Sequence, residues 1–554
     1  MKLLIIGGVA GGATAAARAR RISESAEITV VERGPFVSFA NCGLPYYISG
    51  DIQKRSKLLL QTPEGFDSRY GVKVLVETEA LQIDREGQKV RVKGPEGETW
   101  LPYDSLILAQ GGNPVLLPVP GVDSANVFRL WTVPDMDRIH AFIEERKPAT
   151  AVIVGGGFIG LEMAEALARR GIATTVVELL PQVMSTMDPE MGGMIRARLE
   201  RHRVSVITGV GVKAVHSACS EVELANGAQL PAALVLMSVG VKPELTLARD
   251  AGLAIGAAGG LVVDEHLRTS DPHIWAAGDM NEVVHKVSGQ SMRIPLAGPA
   301  KRQGRIAASN ALGMKMPYTG ALGSSVVKVF DATAASTGLS ETAARKAGFD
   351  IGAAVVVKDH HAGYFPGGKE LVLKLVYDRK SARLLGAQAF GEEGVEKRID
   401  AAAVALQGRL TLHDLAETDF AYAPPYSSAN DPLNLAAFVG INDLSGFSPL
   451  VSAEELRRLL AAGDSERPVV LDVRNLNEYE RGHLRGALHV PLDELRFRLV
   501  EIPCEGPLVV LCRSGFRSHL ALRILKERGW TNVRNLTGGF VAMSALGGFD
   551  IEQL

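Results

Sequence analysis

Leu3-Leu4-Ile5-Ile6-Gly7-Gly8-Val9-Ala10-Gly11-Gly12, running into an Ala/Arg-rich stretch that reaches about Arg21, decides how this chain begins. Four apolar residues read as a buried strand, the glycines as a sharp turn and the alanines as a helix. A second apolar strand over 28–31 ends at Glu32. About 150 residues further on the same order returns: a strand over 151–154, Gly155-Gly156-Gly157-Phe158-Ile159-Gly160, a helix through Arg170, and a strand over 174–177 ending at Glu178. The acid stands 25 positions after the first glycine in one copy and 23 in the other. This is the βαβ pattern of a dinucleotide site, written twice.

The first glycine of such a loop permits the tight turn, the last lets helix and strand pack closely, and the helix start offers unpaired amides to a pyrophosphate. The carboxylate at the second strand's end accepts hydrogen bonds from an adenosine ribose. Gly7, Gly8, Gly11, Gly12 and Glu32 therefore form one candidate site, and Gly155, Gly157, Gly160 and Glu178 a second. The first copy departs from the pattern at Val9, which stands where the middle glycine belongs. Leu179, Leu180 and Pro181 follow Glu178 with no arginine to receive a 2′-phosphate, so NADH is favoured over NADPH there. If the second site takes NADH, the first takes FAD.

The rest of the composition sets bounds. A chain of 554 residues exceeds what one core serves, so three or four units are expected. Hydrophobic residues at 46% and charged ones at 22% exclude disorder or coiled coil as whole-chain readings. Sixty Lys+Arg against 62 Asp+Glu leave a net charge of -2, so no global field draws the chain onto nucleic acid, and any anionic ligand is held locally. The opening residues lead straight into a glycine loop, leaving no room for a signal peptide, and no apolar run is long enough to span a membrane. A cytoplasmic protein is expected. Cys42, Cys219, Cys504 and Cys512 are too few and too scattered for a disulfide framework or a zinc site; each is inert or reactive, and no metal is expected.

Two later segments extend the first site. Leu106-Ile107-Leu108-Ala109-Gln110-Gly111-Gly112 reads as a strand returning the chain to the first unit, and Ile274-Trp275-Ala276-Ala277-Gly278-Asp279 resembles the second FAD segment of flavoproteins with two dinucleotide domains. That resemblance implies that Asp279 bonds the flavin ribitol. Further on, Ser38-Phe39-Ala40-Asn41-Cys42-Gly43 completes a likeness to the pyridine nucleotide-disulfide oxidoreductases, and among them to the single-cysteine coenzyme A-disulfide reductases, over about 445 residues.

Cys42 is the first chemical cysteine. A glycine- and proline-bounded loop is a poor place for an inert core thiol. A dithiol mechanism needs a second cysteine five positions on, where Tyr47 stands. A single-cysteine NADH peroxidase or oxidase, passing through a sulfenic acid, ranks second, because those relatives carry a histidine in the first glycine loop where this chain has Ala10. A lone thiolate can attack a disulfide or persulfide and form a mixed disulfide with coenzyme A, resolved by two electrons from NADH through FAD. The resemblance implies tightly bound coenzyme A as the partner thiol, held by Thr14, Arg18, Arg21, Ser38 and Asn41. Arg18 and Arg21, three apart, share one helix face, which could equally be an ordinary basic surface. The resemblance also implies a homodimer in which Tyr364 and Tyr422 of the dimerisation domain reach the Cys42 site of the other subunit; either could instead be an interface tyrosine.

The last hundred residues carry Val469-Val470-Leu471-Asp472-Val473-Arg474, Gly482-His483-Leu484-Arg485-Gly486-Ala487 and Leu511-Cys512-Arg513-Ser514-Gly515-Phe516-Arg517-Ser518, and resemble a rhodanese domain. A strand ending at Cys512 and a helix beginning near Ser518 let the amides of Arg513, Ser514, Gly515, Phe516 and Arg517 curl around the sulfur as an anion nest, with the two arginines adding charge. Six loop residues suit a sulfur atom; phosphatase relatives use one more. A rhodanese fold used only for docking typically lacks the cysteine. Cys504 and Cys219 have no partner at a telling spacing.

The expected architecture is α/β: two Rossmann-like dinucleotide-binding domains (FAD, residues 1–113 and 249–320; NADH, 114–248), an α+β dimerisation domain (321–446) and a C-terminal α/β rhodanese domain (450–554). The expected activity is NADH-dependent, FAD-mediated reduction of coenzyme A persulfide, polysulfide or disulfide at Cys42, with sulfur transfer at Cys512. A peroxide- or oxygen-reducing flavoenzyme and a redox-sensing sulfur carrier are the alternatives.

Overall fold

The computed structural model describes residues 1–553 except 217, 219 and 464–466, so Cys219 lies outside the described residues. Four main sheets carry the fold. In the first, five parallel strands run in the order Ile274–Ala276, Ser105–Leu108, Lys2–Ile6, Glu27–Val31, Lys73–Leu75. Its central strands are sealed on both faces, and Leu106, Ile107 and Leu108 are fully buried, as a parallel sheet covered by helices requires. The second sheet repeats the plan with Ser205–Thr208, Ala173–Glu178, Thr150–Val154, Leu234–Met237 and Val127–Phe128.

The third sheet is antiparallel, in the order Ser325–Val329, Ala332–Gly338, Leu384–Gly391, Glu370–Asp378, Ile351–Asp359. Helices Val395–Gln407 and Pro432–Leu444 cover it. The fourth is parallel again: Leu450–Val451, Val533–Leu536, Leu508–Leu511, Val469–Asp472, Leu488–His489. The α/β class with an α+β third region is therefore what the chain adopts. The helix expected near Ser518 begins earlier, at Phe516, because Gly515 takes a left-handed conformation (φ 98°) that lets the loop turn directly into it.

By contact the chain divides into two compact units, residues 1–179 with 203–323, and 180–202 with 324–554. The excursion 180–202 lies within the range expected for the NADH domain, yet its helix Pro189–Arg201 groups with the third and fourth sheets. Two contacts explain this. Lys374, fully buried on the third sheet, is ringed by Asp188 (2.8 Å), Glu190 (2.5 Å) and Glu341 (2.6 Å). Gly193 comes so close to the carbonyl of Ala545, in helix Gly539–Leu546, that a Cβ would sit 1.8 Å from the oxygen.

Candidate functional site

The two glycine loops are wired alike. The amide of Gly8 donates to Glu32 Oε2 (2.8 Å), and that of Gly156 donates to Glu178 Oε2 (2.7 Å). Each strand-end acid is thereby held beside its loop. A Cβ on Gly12 would lie 1.8 Å from the Gly7 carbonyl oxygen, and one on Gly160 would lie 2.0 Å from that of Gly155. Both positions admit only glycine, because the helix packs directly on the turn. Gly7 and Gly155 hold φ of 97° and 105°. Gly157 and Val9 occupy the same place, just before helices Phe158–Arg169 and Ala10–Ile22, with φ of -84° and -98°. Neither φ is positive, so neither demands a glycine, and the open space beside Gly157 leaves room for a phosphate.

Asp279 follows the short strand Ile274–Ala276, and burial pushes its carboxyl up to about 6. Its loop is fixed by Gln303, whose Oε1 accepts from the Gly278 amide (2.9 Å) and from Asn281 Nδ2 (3.0 Å). Near the first loop, Gln110 keeps a buried Oε1 without a partner among the described residues, as does Asn281 with its Oδ1. A desolvated carboxylate, orphaned acceptors and a glycine cradle fit a ligand rich in hydroxyls and phosphates, as FAD is. Gln303 carried no motif in the sequence.

Cys42 sits in the 3-10 turn Asn41–Gly43 that opens helix Leu44–Ile48. It is solvent-exposed on one side. Desolvation by its walls pushes the thiol up, and the carboxylates of Glu162 and Asp279 push it further; its own backbone amide and Lys301 oppose them. Glu162 projects from the second glycine helix, where burial raises its carboxyl to about 7, and Tyr46 OH donates to its Oε1 (3.2 Å). Glu162 and Tyr46 were not singled out from the sequence.

The five residues expected to hold coenzyme A lie on the helix that follows the first loop and on the segment that carries Cys42. Thr14, Arg18 and Arg21 follow one another along the outer face of helix Ala10–Ile22, opposite buried Ala15, Ala16 and Ala19. Arg18 Nε donates to Ser309 Oγ (3.0 Å). Ser38 has a left-handed backbone (φ 50°), and its amide donates to the Gly8 carbonyl (2.8 Å), which brings the Asn41–Cys42 turn back to the glycine loop.

The remaining expected residues belong to the other unit. Tyr364 and Tyr422 are exposed, and their hydroxyls are 2.7 Å apart. The bond to Tyr422 raises the Tyr364 phenol. Cys512 is fully buried at the end of strand Leu508–Leu511. The Gly515 amide donates to its Sγ (3.2 Å), and the Ser518 hydroxyl lies 3.4 Å from the sulfur and 2.6 Å from Asn535 Oδ1. Arg517 forks onto Glu478 through two 2.7 Å bonds, and Arg513 bonds Glu370. Cys504 is exposed and apart from these groups.

Residues 1–304 match the pyridine nucleotide-disulphide oxidoreductase profile. The chain belongs to that family. Residues 324–432 match the dimerisation domain of the pyridine nucleotide-disulphide oxidoreductases, and residues 452–546 match a rhodanese-like domain. An NAD(P)H sulfur oxidoreductase (CoA-dependent) of Pyrococcus abyssi is 36% identical over 79% of this chain and 97% of its own. A coenzyme A disulfide reductase of Staphylococcus haemolyticus is 32% identical over 79% and 98%. Two solved structures span the rhodanese-like region as well. Reduced Bacillus anthracis CoADR-RHD superposes with a TM-score of 0.94 at 41% identity, covering 98% of both chains. An NAD-dependent persulfide reductase of A. fulgidus superposes at 0.91 with 37% identity, covering 98% of this chain and all of its own. Membership of the pyridine nucleotide-disulphide oxidoreductases implies FAD and NAD(P)H, which the two glycine loops fit. No described helix is long and apolar enough to cross a membrane.

Proposed function

We propose that this protein is an NADH-dependent, FAD-containing reductase of coenzyme A persulfide, polysulfide or disulfide, with a rhodanese-like domain that transfers sulfane sulfur at Cys512. One observation carries the reading: the segment bearing the lone thiol of Cys42 is tied to the first dinucleotide loop, where the Ser38 amide donates to the Gly8 carbonyl (2.8 Å), and to the helix of the second, where Tyr46 OH donates to Glu162 Oε1 (3.2 Å). With Tyr47 five positions on, no second cysteine of the chain serves it locally, so the partner thiol comes from the substrate. The names of the sulfur oxidoreductase, disulfide reductase and persulfide reductase relatives agree with this chemistry.

Cys42 thiolate attacks the coenzyme A-bound sulfur of a persulfide; the Cys42–coenzyme A disulfide forms and hydrosulfide leaves. When bound, FAD supplies the two-electron relay by which NADH reduces this disulfide to Cys42 thiolate and coenzyme A thiol. Glu32 and the Gly7–Gly12 loop would hold that cofactor's adenosine end and Asp279 its ribitol. Glu178 and the Gly155–Gly160 loop would hold NADH, and the absence of an arginine directly after Glu178 disfavours NADPH. Thr14, Arg18, Arg21, Ser38 and Asn41 would retain coenzyme A tightly. In a homodimer, the Tyr364–Tyr422 pair of each subunit would serve the Cys42 site of the other, one phenol donating to a leaving thiolate. A reducing cytoplasm would keep these thiols free.

Cys42→Ser should leave bleaching of the flavin by NADH intact and abolish NADH oxidation driven by coenzyme A persulfide. Retained persulfide turnover overturns the mechanism. Cys512→Ser should remove sulfur transfer from thiosulfate or polysulfide while sparing coenzyme A-disulfide reduction; persistence of both refutes the assignment to Cys512.

A further inference from the structure

The loop around Cys512 carries two arginines, and neither guanidinium is left to the ligand alone. Arg517 is clamped by Glu478, from helix Leu476–Glu480, through two bonds of 2.7 Å; that carboxylate and then the adjacent Cys512 raise the arginine's affinity for its proton. Arg513 bonds Glu370, the first residue of strand Glu370–Asp378 in the dimerisation region. The loop's own cations are thus matched by two carboxylates from outside it. Around the sulfur itself stand the Gly515 amide (3.2 Å), the Ser518 hydroxyl (3.4 Å) and the Glu478-clamped Arg517, while Arg513 turns to Glu370.

The second carboxylate is held in place by an independent docking contact. The Val355 amide, in strand Ile351–Asp359, donates to Thr537 Oγ1 (2.7 Å), and the same hydroxyl lies 3.3 Å from the Val355 carbonyl. Gly538 packs on Val355, and the Phe540 and Val541 amides donate to the Cys512 and Arg513 carbonyls. Glu370 pairs with Asp359 at the end of the same two-stranded ladder. The sulfur loop therefore rests on both strands, and Glu370 faces Arg513 without having to hold the domains together.

We propose that Glu370 sets the charge selectivity of the Cys512 site: by neutralising Arg513 it biases the loop against donors whose sulfane group is dianionic, such as thiosulfate, and towards those whose sulfane group carries a single charge, such as the persulfide end of an organic thiol. This rests on the reading of Cys512 as the sulfur-accepting thiol. In each transfer the Cys512 thiolate takes the donor's outer sulfur, a Cys512 S–S bond forms as the donor's bond to that sulfur breaks, and sulfite (from thiosulfate), a sulfinate (from a thiosulfonate) or a thiolate (from a persulfide) leaves with the electron pair. Repulsion from the Glu370 carboxylate is twice as large for a dianion as for a monoanion at the same place. Glu370 is a positioning and specificity residue, since it acts through Arg513 and not on the sulfur.

The test compares thiosulfate with methanethiosulfonate, which present the same sulfane sulfur with two negative charges and one. Sulfur transfer to cyanide is measured with the full-length holoenzyme. Glu370→Gln should raise kcat/KM about tenfold for thiosulfate and about threefold for methanethiosulfonate, a gain that shrinks at high salt as the Debye length falls. Coenzyme A-disulfide reduction should stay within about twofold, reporting an intact fold. The double variant Glu370→Gln with Arg513→Gln should show no gain over Arg513→Gln alone. An unchanged or lower thiosulfate to methanethiosulfonate ratio in Glu370→Gln overturns the proposal. Cys512→Ser separates the two levels: if it abolishes transfer from both donors while Glu370→Gln leaves the ratio unchanged, only the role of Glu370 falls. If it retains transfer, the reading of Cys512 falls and this proposal with it.

Discussion

Cys42 stands out in the sequence as a candidate because its turn motif is local, but its electrostatics do not. A reactive thiol is expected among positive groups, yet burial and then Glu162 and Asp279 raise this one, against its own backbone amide and Lys301. In sequence Glu162 is one more acid on a helix; packing of helix Leu44–Ile48 against helix Phe158–Arg169 is what brings Tyr46 to it. Its carboxyl titrates near 7 because burial disfavours the charge. Above pH 7 Glu162 is ionised and opposes the Cys42 thiolate; below it the opposition fades. Glu162→Gln should therefore make Cys42 alkylation by iodoacetamide faster above pH 7, read on the Cys42 peptide by mass spectrometry, with little change at pH 6. The stability effect has the opposite sign to that of an ion-paired acid. With its folded value raised, Glu162 binds more protons folded than unfolded, so its contribution falls as pH rises from the ordinary carboxylate range of about 4.3 through 7 and stays low above.

At the scale of elements, the strand-glycine-helix-strand-acid order was readable because each step rests on local sterics. The close approaches of Gly12 to Gly7 and of Gly160 to Gly155 are the physical content of that motif. Gly160→Ala places a methyl against the Gly155 carbonyl, and overpacking of this kind costs about 1–3 kcal/mol. It should lower kcat/KM for NADH by about tenfold or more while the purified protein still carries FAD, as its absorbance would report. Equal loss of FAD and NADH binding would mean that the two loops do not act separately. The helix Phe516–Glu527 starts ahead of the expected Ser518, since Gly515 turns the loop within one residue. Gln303 escaped notice because an amide inside an Ala-rich helix, Ala297–Ala311, has no spacing that marks it; only its bonds to Gly278 and Asn281 reveal that it fixes the Asp279 loop.

For the whole molecule, the helix Pro189–Arg201 joins a unit that the order of the chain does not suggest. Two buried carboxylates, Asp188 and Glu190, and the partly buried Glu341 around Lys374 make the contact. Burial alone would lower the Lys374 ammonium, but the surrounding carboxylates outweigh it and raise it well above its ordinary value. Removing one member of a buried ion cluster leaves the others uncompensated, typically at about 3–5 kcal/mol. Lys374→Met should accordingly lower the first thermal transition seen by calorimetry, whereas Lys358→Met, on a strand of the same sheet but with an exposed side chain, should leave it nearly unchanged. By itself the sequence determined the two strand-glycine-helix-strand-acid units and the strand-loop-helix around Cys512, and it marked Cys42 as a candidate, because glycine geometry, apolar periodicity and strand-to-helix turns are properties of neighbouring residues. Tertiary structure alone decided that Glu162 faces Cys42, that Glu370 and Glu478 cap the arginines beside Cys512, and that residues 180–202 leave the second sheet's unit. Charge pairing and desolvation act between residues distant in sequence, and no local pattern encodes which carboxylate meets which cation.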